Sequence, residues 1–253
     1  MGAGSRVSFL LEQVRGEVRR RSETDRRLDS YAWIIMRVIG ALAAISFIAL
    51  SVTRPLGLPA GAWLLLLVTV AVYLAQLVLL YMLISRRNKH FARQLRLFEY
   101  AAQLLKEASR ARGIDAEARL ASIERELREA RDEEGERNAV LWVILTLLIG
   151  LAGLYVYYFL MRDFRKHETR EDRMLEDMGA VMYKIGAILP YRREEKIPSR
   201  SFTLYLLLSI ITLGLFEIYW VYALIRDPNV HFREQGRIED ELLSRMEQVA
   251  QGL

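Results

Sequence analysis

The chain has 253 residues, 53% of them hydrophobic, with 36 Lys and Arg against 31 Asp and Glu for a formal net charge of +5. The apolar residues are gathered into blocks rather than spread at helical period, which is the pattern of a membrane protein and not of a soluble domain. Interleaved acidic residues exclude a uniform nucleic-acid-binding surface, and the absence of cysteine excludes disulfides, thiolate metal sites and a cysteine nucleophile.

In chain order, residues 1–30 are polar and lack an apolar signal core, so no cleavable signal peptide is expected. The opening Met1-Gly2 fails as a myristoylation start because Arg6 stands where serine or threonine is wanted. Val7, Leu10, Leu11, Val14 and Val18 recur at helical spacing and predict an amphipathic cytosolic helix, packed on other helices or laid on lipid. Residues 31–84 read as a transmembrane hairpin: Tyr31–Val52 and Ala62–Ile84 flank a Pro/Gly-rich turn at 54–61. Residues 85–138 predict a charged cytosolic helical hairpin broken near Gly113, with Asp115 as N-cap and Leu120, Ile123, Leu127 and Ala130 as a short coiled-coil seam.

A third apolar segment, 139–161, carries no charge. It is followed by a charged linker, 162–201, in which Met174–Leu189 suits an interfacial helix, then by a fourth apolar segment at 202–225. Residues 226–253 predict a cytosolic helix with Ile238, Leu242, Met246 and Val249 on one face. The four apolar segments are 22 to 24 residues long, about 33–36 Å as helices and enough to cross a bilayer. The predicted class is an all-α polytopic membrane protein.

Aligning the chain on Tyr81, Tyr158 and Tyr222, which end the second, third and fourth segments, places His90, His167 and His231 each nine residues further on. These are the only three histidines. The first and third copies share a longer string, Asn88, His90, Phe91, Gln94 and Arg96 against Asn229, His231, Phe232, Gln235 and Arg237. The second and third share Gly150 with Gly214, Tyr155 with Tyr219, and Arg162-Asp163 with Arg226-Asp227. Residues 201–235, with Thr212-Leu213-Gly214, Tyr219-Trp220, Tyr222 and the histidine string, resemble a widespread prokaryotic integral-membrane family of unknown function. The resemblance implies a class and no activity.

Aromatic residues at a segment exit settle at headgroup depth, which makes the recurring motif an interfacial one that fixes how each segment leaves the membrane. A three-histidine metal site requires the copies to converge. No His-x-x-x-His spacing supports that, and His167-Glu168-Thr169-Arg170-Glu171 lacks the second histidine of a zincin, so neither metal nor cofactor is expected.

Basic residues flanking the segments predict cytoplasmic termini in a multi-pass plasma-membrane protein. Four simple crossings leave the ten basic residues of 162–201 outside, whereas re-entrant hairpins turning at Gly150 or Gly153 and at Gly214 return them to the cytoplasm. Arg37 and Glu217 interrupt apolar segments at matching depth and are expected to pair. With no catalytic set in the chain, the expected function is a non-enzymatic scaffold or assembly factor that contacts the bilayer, itself as a homo-oligomer, or a protein partner. An oligomeric channel or small transporter is the alternative.

Overall fold

A computed structural model describes residues 3–54 and 57–252; Met1-Gly2 and part of the 54–61 turn lie outside the described residues. The described chain is helical, with no strand: α1 (Ala3–Arg19), α2 (Arg21–Thr24), α3 (Ser30–Thr53), α4 (Ala60–Ala111), α5 (Glu117–Glu133), α6 (Ala139–Leu148), α7 (Ala152–Ile185), α8 (Phe202–Ile211) and α9 (Phe216–Gln251).

Three hairpins organise it. In each, an apolar arm (α3, α6 or α8) turns back into a long helix (α4, α7 or α9) that is apolar at first and polar beyond. Each arm starts from a side-chain cap. Asp29 accepts from the Tyr31 and Ala32 amides, Asn138 from Leu141, and Ser201 from Leu204, each cap stabilising its helix start by about 1 kcal/mol.

Among the described residues, only α3 and α4 are long and apolar enough to cross a membrane. Segments 139–161 and 202–225 are each broken by a turn, so four continuous spans are not found among the described residues. In the second hairpin the turn follows Ile149, and Gly153 lies so close to the returning arm that a Cβ there would meet Thr146 Cγ2 at 3.0 Å. In the third hairpin the turn depends on left-handed backbone, with Leu213 at φ 50° and Gly214 at φ 90°. Glycine takes that conformation without steric penalty. Rings meet across both turns, Trp142 with Tyr155 and Phe159, and Phe202 and Tyr205 with Trp220, so the arms double back.

The apolar halves of the hairpins form one layer and the polar halves another. In the apolar layer Gly40 lets α3 close on α4, where a Cβ would meet Val72 Cγ1 at 2.6 Å. Its core gathers Leu80, Ile84, Val156, Phe159, Trp220 and Val221, while the outer faces expose Ile39, Leu42, Leu64, Leu67, Ile144 and Leu207. Between Ala60 and Ala111 the chain is one uninterrupted helix, so the boundary expected at residue 84 is a change of environment and not of structure.

In the polar layer α4, α7 and α9 form a bundle whose gaps are filled by α1 between α4 and α9, and by α5 between α4 and α7. The linker 186–201 lies against α7 and α9. Val7, Leu10, Val14, Ile123, Leu127 and Leu242 are buried there. Met174, Leu175, Met178 and Met182 join the same core, which corrects the interfacial reading of 174–189: the apolar face packs on helices rather than on lipid.

Candidate metal centre

Just beyond the apolar layer, each long helix contributes one histidine to a common point. His90 of α4, His167 of α7 and His231 of α9 are buried, with ring centroids 5.1 to 5.6 Å apart in a nearly equilateral triangle. Glu171, one helical turn after His167, enters the same point. One donor atom from each of the four lies within 4.8 Å of every other. The shorter edges are 3.1 Å from His90 Nε2 to His231 Nε2, 3.1 Å from His167 Nε2 to Glu171 Oε1 and 3.6 Å from His231 Nε2 to Glu171 Oε2. Donors about 2.0–2.1 Å from a shared tetrahedral cation stand about 3.3 Å apart, so these edges have the span of a coordination sphere.

The outer ring nitrogens fix the tautomers. His90 Nδ1 lies 2.8 Å from Asp25, His167 Nδ1 2.7 Å from Glu134, and His231 Nδ1 3.2 Å from Glu168. A carboxylate only accepts, so each Nδ1 donates its proton outward and each neutral imidazole turns the Nε2 lone pair inward. The carboxylates are held by guanidinium groups: Arg93 on Asp25 at 2.7 Å, Arg170 on Glu134, and Arg193 on Glu168 at 3.7 Å. Carboxylate–histidine pairs of this kind orient metal-ligating imidazoles.

Lone pairs facing one another at 3.1 Å repel unless a proton or a metal ion lies between them. Four carboxylates touch the three rings and three guanidiniums hold those carboxylates, so the centre is negative when the rings are neutral. Burial opposes protonation of His167, but Glu134 and Glu171 push its pKa up to about 10. Burial takes His90 down to about 4 although Asp25 opposes it. Glu171 is held below the ordinary carboxylate range: burial opposes ionisation, and His167 and His231 overcome it. The alternative to a metal is therefore a proton on His167. That proton would face Glu171 Oε1 at 3.1 Å, an approach too poorly aligned for a good hydrogen bond.

Of the other motif residues, Phe91, Gln94, Phe232 and Gln235 are buried, Asn88, Arg96 and Asn229 half-buried and Arg237 exposed. Phe91 stacks on His167 at 4.1 Å, and Phe232 lies 4.7 Å from His90. Glu168, at the same register in the second copy, bonds His231, so the residue after each histidine touches the next histidine round the ring. Asn88 donates to Arg137 O and accepts from Arg137 N, and Asn229 does the same with Leu28. Each asparagine thus grips the backbone just before the cap of a neighbouring arm, Asn138 or Asp29. Gln94 donates to Glu239 and Gln235 accepts from Arg193. Arg96 pairs with Glu17, and Arg237 with Glu234 and the Arg192 carbonyl.

Arg37 and Glu217 lie in the apolar layer, away from the histidines. Arg37 Nη2 stands 2.5 Å from Glu217 Oε2, and Nη1 donates to Gln76 Oε1 at 3.2 Å.

Sequence reasoning missed Asp25, Glu134, Glu168, Glu171, Arg93, Arg170 and Arg193. For Glu171 a signal existed: the position four after each histidine reads Gln94, Glu171, Gln235.

The class defined by these features is an all-helical protein with two helices fit to cross a membrane and a polar bundle centred on three buried histidines. Residues 200–243, the third hairpin, match a family described only as a domain of unknown function, DUF4234. No curated protein and no solved structure matches the chain.

Proposed function

We propose that this chain is a non-enzymatic membrane scaffold whose polar bundle is fastened by one divalent first-row metal ion held by His90, His167, His231 and Glu171. The convergence of the four donors carries the reading. Three imidazoles and one carboxylate suit zinc, iron, cobalt or nickel better than calcium or magnesium, which prefer all-oxygen sets. Four protein donors in a buried position make a closed sphere, the form of structural rather than catalytic sites. Ligands from all three long helices, two of them from α7, tie together three chain segments that share no covalent proximity.

Two further readings belong to the same proposal. The equivalent contacts around the ring, together with the aligned tyrosines and histidines, support three copies of one hairpin unit. The apolar layer supports membrane insertion by α3 and α4, with the hairpins α6–α7 and α8–α9 re-entrant and both termini on the cytoplasmic side. The alternative, a channel or small transporter, is disfavoured because Arg37 is paired with Glu217 and donates to Gln76 Oε1 instead of standing free in a polar path.

Elemental analysis of protein purified without chelators tests the metal. One equivalent of a first-row divalent ion is expected, and none in a His90→Ala, His167→Ala, His231→Ala variant that retains its helical circular dichroism. Wild-type protein that neither carries nor takes up zinc, iron, cobalt or nickel would end the proposal.

A further inference from the structure

The two short hairpins end at a common depth. Arg37 and Gln76 meet Glu217 at one level. Gln76 lies eight residues before Ile84, about 12 Å inside the apolar half of α4, and the Gly214 turn lies three residues, about 5 Å, deeper than Glu217. Tyr157 packs on Trp220 at 5.3 Å between ring centroids. These residues stand seven and six positions after Gly150 and Gly214, so both turns share that depth to within a residue. The arms α6 and α8 have ten residues each, about 15 Å of helix, against a hydrocarbon core about 30 Å thick.

The turns are built to sit in hydrocarbon. Leu148, Leu151, Ile211, Leu213 and Leu215 are exposed at the tips, Leu213 at 94%. Thr212 Oγ1 accepts from Phe216 N, pairing an amide that the left-handed turn releases, and donates to Leu208 O, which also takes the Thr212 amide. Unpaired backbone at this depth would be strongly unfavourable.

Six helical sections therefore occupy the half of the apolar layer next to the polar bundle: α3, α4 and both arms of two hairpins. Beyond the tips, among the described residues, only α3 and α4 continue. A helix with its side chains is about 10 Å across, near 80 Å² in section, so the near half is wider by about 300 Å².

Resting on the membrane reading above, we infer that the protein is a leaflet wedge: the hairpin tips lie among the acyl chains of one leaflet, and the protein concentrates in strongly curved membrane whose convex leaflet is the one next to the polar bundle. Curvature of that sign gives the wider half its extra area, whereas the opposite curvature compresses it.

The chain lacks cysteine, which makes the test direct. An Ala118→Cys protein, reconstituted in giant vesicles and labelled from outside with an impermeant dye, reports only copies whose bundle faces outward, since Ala118 is exposed on α5. On tethers pulled from these vesicles, the ratio of protein density on the tether to that on the parent membrane should exceed one and rise as the tether narrows. Copies labelled only on the lumenal side should be depleted. A second variant, Leu213→Cys carrying a polarity-sensitive fluorophore, should be quenched best by lipids with the quencher near the bilayer midplane. Ratios of one at every tether radius, or a tip reached by reagents in the opposite aqueous phase, would overturn the wedge. Protein that alkaline carbonate strips from the vesicles would instead overturn the membrane reading itself, and the wedge with it.

Discussion

Arg37, Glu217 and Gln76 form a charged contact set into the apolar layer. The pair is half-buried in the protein, and removing either ion strands the other among apolar side chains. Arg37→Glu and Glu217→Arg should each lower the yield of folded protein and its melting temperature in detergent, and the double exchange should recover most of the loss. At the histidines the proposed metal would compete with a proton for one place. A free histidine titrates near ~6.5. His167, raised in the folded protein to about 10, therefore stabilises it fully below ~6.5, and that contribution is lost as pH rises through about 10. Chelator-treated protein should melt progressively earlier across that alkaline window in a thermal scan. Metal-loaded protein should not, because the ion replaces the proton. An identical pH profile with and without chelator would contradict a shared site.

Pro228 interrupts α9 four residues after Leu224 and supplies no amide for the Leu224 carbonyl. Arg86 of α4 answers it, donating to Leu224 O at 2.8 Å and to Ile225 O at 3.2 Å. Arg86→Met should destabilise by about 1–3 kcal/mol, the range for a stranded buried acceptor. Pro228→Ala in that background should recover part of it by restoring the helical amide; a denaturant titration reads both changes. At the third turn, Gly214→Ala places a Cβ at φ 90° and should cost about 1–2 kcal/mol. Hydropathy blocks and aligned tyrosines made three apolar units and their polar continuations legible in the sequence. The broken third and fourth segments were legible only as an alternative, because a turn inside an apolar run leaves hydropathy unchanged and is marked by little more than Gly150 and Gly214. Each histidine could be placed at the same register from sequence. Their meeting could not, since it depends on how α4, α7 and α9 pack. Asp25, Glu134 and Glu168 were hidden because two precede different arms and the third follows a histidine, giving no common spacing.

Across the whole molecule, the two layers are joined by helices running through both, so a change at the histidines is felt at the level of the bundle. Metal bound only by the folded state stabilises by mass action, about 4 kcal/mol at a free concentration a thousand times Kd. Chelation should lower the melting temperature and raise amide hydrogen exchange together in α4, α7 and α9 near His90, His167 and His231, while the α3 amides around Gly40 change little. Exchange rising in one helix alone would mean that the site does not fasten the bundle. The ligands stand 77 and 64 positions apart along the chain, the last at residue 231. A nascent chain that has made two hairpins can offer two histidines and Glu171, but not the full set. If the proposed ion is bound, its complete donor set exists only once the third hairpin has docked, so tight retention would separate finished chains from truncated ones.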